Sequence, residues 1–281
     1  MTNLQTRLIL FVVGIPLLFG LVVLLPQLNH LGFNLFLVSI SGLTALEMGR
    51  IIRASKLVYE TPKPVTFGLG VVLPAVALAS VMGAVEWDAV FHAILAVTML
   101  IAAAQAFRRA DTLERSVTSA GTHLIVFLYP GLFLAYVVRL SALPNATVLI
   151  LTFIAAVFFN DASAYAAGLA FGYRRGIVPV SPNKSLVGFI VGLLVSPFVL
   201  VMVSLIPGSG VAFQPARLVV LGVAVGLATI FGDLLESAFK RAADVKDSGH
   251  VIPGRGGFLD SIDSPIFAAP VFFHVYQLLF L

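Results

Sequence analysis

Apolar runs long enough to cross a bilayer recur along the whole chain, and they leave few architectures open. A helix needs about 20 mostly apolar residues to span the hydrocarbon layer. Nine runs approach that length: Leu8–Leu25, Leu31–Leu46, Val65–Gly83, Val90–Ala106, His123–Val138, Ala146–Gly168, Leu186–Ile206, Leu218–Leu235 and Pro265–Leu281. The second and fifth are the shortest and have the least defined ends. Pro74 and Pro130 fall inside runs, which membrane helices tolerate.

Composition agrees. Of 281 residues, 59% are hydrophobic and 11% charged, against about 45–50% and about 25% in an ordinary soluble domain. Mean hydropathy is +1.05. There is no cysteine, which excludes disulfides and thiolate metal sites. The net charge of +4 is dispersed in short segments between apolar runs. That distribution argues for a cationic face near anionic headgroups and against a nucleic-acid partner. No repeat or low-complexity tract is visible. The expectation is an all-α polytopic integral membrane protein of about nine transmembrane helices. It forms a single helical membrane domain over 1–281, with N-terminal spans over 1–145 and a catalytic half over 146–281.

Lys and Arg set the orientation. Fifteen of the 17 basic residues precede the first run or follow an even-numbered one: Arg7; Arg50, Arg53, Lys56 and Lys63; Arg108, Arg109 and Arg115; Arg174, Arg175 and Lys184; Lys240, Arg241, Lys246 and Arg255. Arg139 and Arg217 lie on the other side. The N-terminus and the loops after even-numbered runs are therefore expected in the cytoplasm, and the C-terminus outside. The first run is long for a signal peptide and no clear small-x-small site follows it, so retention is expected.

Three acids stand out from ordinary loop charges. Asp161 sits inside the sixth run, and Asp233 and Glu236 lie at the end of the eighth. An acid at membrane depth is costly and faces a partner, a cavity or an ion. A buried ion pair or an interfacial helix end is the plainer explanation. Residues three apart share a helical face, so Asp233 and Glu236 can reach one site.

The densest polar stretch, Lys240–Asp263, follows at once. It holds four Asp, four Lys or Arg, and four Gly. Carboxylate oxygens suit Mg²⁺, which binds one or two carboxylates together with substrate phosphates. Lys and Arg suit phosphate. The Pro253-Gly254-Arg255-Gly256-Gly257 run lets backbone approach a ligand closely. Asp260 and Asp263 repeat the three-residue spacing. A solvated loop is the bland alternative, and the stretch is neither a Walker loop nor a dinucleotide fingerprint. A second polar segment carries Phe171-Gly172-Tyr173-Arg174-Arg175 and Ser181-Pro182-Asn183-Lys184-Ser185. In the seventh run, Gly188 and Gly192 have the spacing of close helix packing, within one chain or at a homodimer interface.

These residues carry a resemblance. Ser237-x-x-Lys240-Arg241, then Lys246-Asp247-x-Gly249, then Ile252-Pro253-Gly254-x-Gly256-Gly257-x-x-Asp260-x-x-Asp263 resembles the signature of the phosphatidate cytidylyltransferases. Asn160-Asp161, Ala164-Tyr165, Gly168, Phe171-Gly172 and Ser181-Pro182-x-Lys184-Ser185-x-x-Gly188 resemble a second region of that family. The matches cover roughly the C-terminal half. Two positions depart from it: Arg255 stands where the family usually has His, and Ser261 where it usually has Arg. Arg255 can hold phosphate but cannot act as a base near neutral pH.

The resemblance implies transfer of the cytidylyl group of CTP to phosphatidate, giving CDP-diacylglycerol and pyrophosphate. It implies Mg²⁺, with room for a second metal ion. Asp233, Asp260 and Asp263 are the expected metal ligands, with Asp247 next, and Lys240 joins them as a catalytic group. Lys184, Ser181, Ser237, Arg241, Lys246, Arg255 and Asp161 are the expected substrate-binding residues. The implied partners are CTP, phosphatidate and membrane lipid. The implied location is the bacterial inner membrane, with the site on its cytoplasmic face. Three rivals stand beside this reading: a related or altered CTP-dependent lipid enzyme, which the two departures allow; a membrane transporter; and a purely structural membrane protein, against which four Asp and four Gly in one loop argue.

Overall fold

The computed structural model describes residues 14, 16–55, 57, 61–108, 110–173, 175–252, 254 and 256–281. Residues 8–13 and 15 of the first apolar run, and Arg255 of the polar stretch, lie outside the described residues. After a π-helical turn at Gly20–Leu24, eight α-helices follow: α1 (Gln27–Ala54), α2 (Lys63–Val81), α3 (Ala89–Ala106), α4 (Ser116–Leu140), α5 (Ala146–Phe171), α6 (Leu186–Ser204), α7 (Pro215–Ala242) and α8 (Leu259–Phe280). Among the described residues, seven helical segments are long and apolar enough to cross a membrane: α1, α2, α3, α5, α6, α7 and Leu113–Leu140, which contains α4. The ninth predicted run is helical as α8 but is not among those seven. No named strand occurs among the described residues; two isolated bridges, Arg175–Ser185 and Ile252–Gly256, pin loops.

The helices outrun the sequence estimates at their polar ends. The regular part of α1 runs 24 residues, from Leu31 to Ala54, about 36 Å of helix against about 30 Å of hydrocarbon. Its surplus turns carry Glu47, Arg50 and Arg53. At its other end Leu28, Asn29 and His30 take left-handed backbone angles, with φ of 51°, 55° and 59°. The regular helix thus begins where the predicted run does, at residue 31.

The chain divides into two compact units: Met1–Ala142 with Phe239–Ser261, and Leu143–Ala238 with Ile262–Leu281. In the first, α1 and α2 meet closely at Gly70, where a Cβ would lie 2.6 Å from the Ser41 carbonyl oxygen. The Ser41 hydroxyl donates to the Gly70 carbonyl at 2.6 Å. Phe33, Met48, Leu73, Phe127 and Leu134 fill the core around them. The last turn of α7 and the polar loop that follows it belong to this unit. Phe239 meets Tyr129 of α4 edge-on at 5.7 Å.

In the second unit, α5 and α6 close on the two glycines flagged by their spacing. A Cβ at Gly188 would lie 2.7 Å from the Ala164 carbonyl oxygen, and one at Gly192 would lie 2.8 Å from Asn160 Oδ1. The seam is therefore filled from within the chain. Asn160 Nδ2 donates to Ser196 Oγ at 2.9 Å, which donates onward to the Ala156 carbonyl at 3.2 Å. Phe153 of α5 packs edge-on against Phe272 of α8 at 5.4 Å.

Candidate functional site

In the first unit the polar loop is organised around Asp260, in the first turn of α8. Its side chain is only 6% exposed. Lys240 Nζ, in the last turn of α7, donates to Oδ1 at 2.7 Å. The amides of Ser248 and Gly257 donate to Oδ2 at 2.8 and 2.7 Å, and the Ser248 hydroxyl lies 2.7 Å from it. Burial alone would push this carboxyl up. The Gly257 amide, the Lys240 ammonium and Ser248 outweigh it and hold Asp260 below the ordinary aspartate range. It is thus an anion fixed by four donors at a helix N-terminus.

Asp247 lies beside it, exposed. Gly256 separates the two acids: its φ is +103°, and a Cβ there would crowd Asp260 and lie 3.3 Å from Asp247 Cβ. Glycine is required on both counts. Arg241 and Lys246 are exposed in the same loop, and His250 Nε2 stands 3.2 Å from an Arg50 guanidinium nitrogen. The Ser261 hydroxyl donates to the Gly257 carbonyl at 3.2 Å. The position where the resemblance leads one to expect arginine is thus spent on holding the loop to itself.

The sequence reading passed over one member. Glu47, the lone acid of α1, is 7% exposed. Its Oε1 accepts from the Phe258 amide at 3.0 Å, and its Oε2 from the Leu259 amide at 2.7 Å. The Ser248 hydroxyl lies 3.2 Å from Oε2. The second predicted run stopped at Leu46, so Glu47 looked like the first residue of a polar loop. An acid enclosed by Ala45, Leu46 and Met48 was the signal available.

The second unit holds its own ion pair. Lys184 Nζ is paired with Asp233 Oδ2, both partly exposed, and stands 5.6 Å from the Phe189 ring centre. The Ser237 hydroxyl lies 3.4 Å from Asp233 Oδ1. Lys184 is carried by a turn in which its amide donates to the Ser181 carbonyl at 3.1 Å. Ser185 ends that turn and caps α6, accepting from the Gly188 amide at 3.1 Å. Arg175 reaches back to the carbonyls of Gly168 and Gly172, both at 3.1 Å, and closes the end of α5. Asp161 is half-buried on α5, and Glu236 on α7 is fully buried. Asp263 accepts from the Ser264 amide at 2.6 Å.

As a donor set these carboxylates fit a hard dication. Asp260 and Asp233 each hold a lysine ammonium. Among the described residues, no group of three or more acids or histidines is assembled around one point.

Comparison with known proteins bears on this arrangement. A family model described as the cytidylyltransferase family matches residues 5–279. A phosphatidate cytidylyltransferase of Rickettsia typhi is 32% identical over 166 residues, 57% of this chain and 73% of that protein. One of Haemophilus influenzae is 39% identical over 123 residues, 43% of this chain and 42% of that protein. The uncharacterized protein YnbB of Escherichia coli is 37% identical over 131 residues, 46% of this chain and 43% of that protein. The matched segments thus span less than half the length of the last two.

Proposed function

The chain belongs to the cytidylyltransferase family, and from that premise we propose that it transfers the cytidylyl group of CTP to phosphatidate. A phosphate oxygen of phosphatidate attacks the α-phosphorus of CTP. The bond from that phosphorus to the oxygen bridging to the β-phosphate breaks, leaving CDP-diacylglycerol and pyrophosphate. The nucleophile is already ionised at neutral pH, so no side chain need remove a proton. The obstacle is the meeting of two anions, which cationic groups lower by neutralising charge and fixing orientation.

The observation that carries the reading is the order around Asp260. An otherwise apolar protein gathers two buried acids, a largely enclosed lysine and a run of glycines around one short loop. Lys240, Arg241 and Lys246 offer that loop's cationic donors to the triphosphate. Lys184, with Ser181 beside it, offers a phosphate donor in the second unit. A divalent ion held by Asp260 and Asp247 would supply further charge neutralisation. CTP is soluble and phosphatidate lies in the leaflet, so the reaction belongs at a membrane surface. We take this loop to lie on the cytoplasmic face of a bacterial inner membrane, a reading that the positive-inside pattern supports as to side.

The test uses purified protein in detergent with phosphatidate, Mg²⁺ and labelled CTP, beside Asp260→Asn. The expected result is label in the lipid phase that needs Mg²⁺ and falls at least about 100-fold in the variant, the scale of losing a key electrostatic group. Ser261, where the resemblance leads one to expect arginine, leaves open a second reading, a related CTP-dependent enzyme with another lipid phosphate as acceptor. Label appearing only with a different lipid phosphate would select that reading. No label with any acceptor, from folded protein, would sink both.

A further inference from the structure

We infer that Glu47 is the positioning residue of the polar loop, and that Gly249 and Gly257 are glycines because its carboxylate fills the space their side chains would take. The inference rests on the cytidylyl-transfer reading for what the loop does, but not for how the loop is held.

The loop and α1 are far apart in sequence: Glu47 meets Leu259 across 212 positions. Glu47 supplies both oxygens to the start of α8, where the first amides of a helix have no intrahelical acceptor. The Phe258 amide takes Oε1 and the Leu259 amide takes Oε2. A remote acid thus does what an N-cap side chain does elsewhere, and its negative charge sits at the favourable end of the helix dipole. The Ser248 hydroxyl stands between this carboxylate and that of Asp260, 3.2 Å from one and 2.7 Å from the other. The two acids are therefore linked through one side chain: Glu47 holds the helix start, and Asp260 holds Lys240 and the loop amides.

The glycines show how tightly this is built. A Cβ at Gly257 would collide with both Glu47 oxygens and with the Ser248 hydroxyl. A Cβ at Gly249 would collide with Glu47 Oε1 and lie 3.1 Å from Gly257 Cα. Neither residue is among the positive-φ glycines. Their requirement is therefore steric: Glu47 is the obstacle common to both, joined at Gly257 by the Ser248 hydroxyl, which can turn aside once the carboxylate withdraws.

This arrangement separates positioning from mere stabilisation. In Glu47→Gln the amide can turn either way, but its NH₂ then faces either the Phe258 or the Leu259 amide, so one donor stays unmet in both orientations. A buried unmet donor costs the equivalent of about 10–100-fold. Glu47→Asp keeps the charge and withdraws it, which opens room beside Gly257.

The experiment has two arms on full-length protein in detergent. In the first, hydrogen exchange of peptides covering 247–260 is followed in the parent, Glu47→Gln and Glu47→Asp. Protection is expected to fall about 10–100-fold at the α8 start in Glu47→Gln. In the second, transfer from CTP is measured for the same proteins, for Gly257→Ala and for Glu47→Asp/Gly257→Ala. Glu47→Gln is expected to raise the KM for CTP and lower kcat/KM about 10–100-fold per folded molecule. The double variant is expected to outperform Gly257→Ala alone, because the added methyl enters the vacated space.

Unchanged exchange in Glu47→Gln would overturn the inference. So would a lower folded yield with parental kinetics in the folded fraction, or strict additivity of the Asp and Ala changes. Where Glu47→Gln fails to fold, the double variant decides. Parent protein that labels no lipid while Glu47→Gln loses protection would end the functional reading and leave Glu47 as the loop's anchor.

Discussion

Lys240 is the residue on which structure and chemistry make competing demands. Its side chain is 16% exposed, and its ammonium is needed by Asp260 to stay buried as an anion. The same ammonium is the loop's least exposed donor for a phosphate. Removing one partner of a buried pair costs about 3–5 kcal/mol, because the other charge is left unpaired. Three donors remain on Asp260 without Lys240, so Lys240→Met should cost about 3 kcal/mol, the lower end. Thermal unfolding in detergent would show this as a lowered Tm, and Lys240→Arg should recover most of it while leaving transfer impaired. Equal Tm in Lys240→Met and the parent would mean the pair carries no net stability. That the loop is chemically loaded was legible from its four acids and four glycines. That Asp260 faces inward to four donors was not, since spacing says nothing about which of several acids is enclosed. Glu47 is half legible: an acid among Ala45, Leu46 and Met48 is a local signal, but nothing local ties it to a loop two hundred positions away.

The helices themselves were the legible level, because hydrocarbon demands length and apolarity and both are read directly. Errors cluster at helix ends, where polar turns extend beyond the membrane and look like loops, as at Glu47 in α1. Packing between helices is a second case. The Gly188 and Gly192 spacing told of a close approach but not of the partner; the partner is α5, through Asn160 and Ala164. Without a hydrophobic drive between helices in lipid, such seams depend on small residues letting backbones meet. Gly192→Ala should therefore destabilise by about 1–3 kcal/mol, the usual cost of overpacking. Gly68→Ala on α2 is the matched control: a Cβ there meets nothing within 4 Å. It should be neutral, or stabilising by up to about 1 kcal/mol through helix propensity. Thermal inactivation of the two variants side by side separates seam packing from a general intolerance of side chains at glycine.

At the scale of the molecule, function depends on which way the chain faces the membrane. Charge decides this: fifteen of 17 basic residues fall on one side, and cationic loops are retained in the cytoplasm. If each helix spans the bilayer, that pattern predicts the loops after α1, α3, α5 and α7 in the cytoplasm and those after α2, α4 and α6 outside. The protein has no cysteine, so single cysteines report position without background. Val251→Cys lies in the polar loop, and Glu86→Cys and Gln214→Cys lie after α2 and α6; all three positions are exposed. A membrane-impermeant maleimide should label Glu86→Cys and Gln214→Cys in intact cells, and Val251→Cys only after the membrane is opened. Labelling of Val251→Cys in intact cells would put the loop opposite the nucleotide pool. Cytidylyl transfer from cytoplasmic CTP would then be untenable at that loop, whatever its local chemistry. Labelling of all three before opening would instead reject that set of crossings: Glu86 and Gln214, separated by the four helices α3–α6, share a side, and Val251, one helix (α7) further on, must lie on the other if each of those helices spans the bilayer.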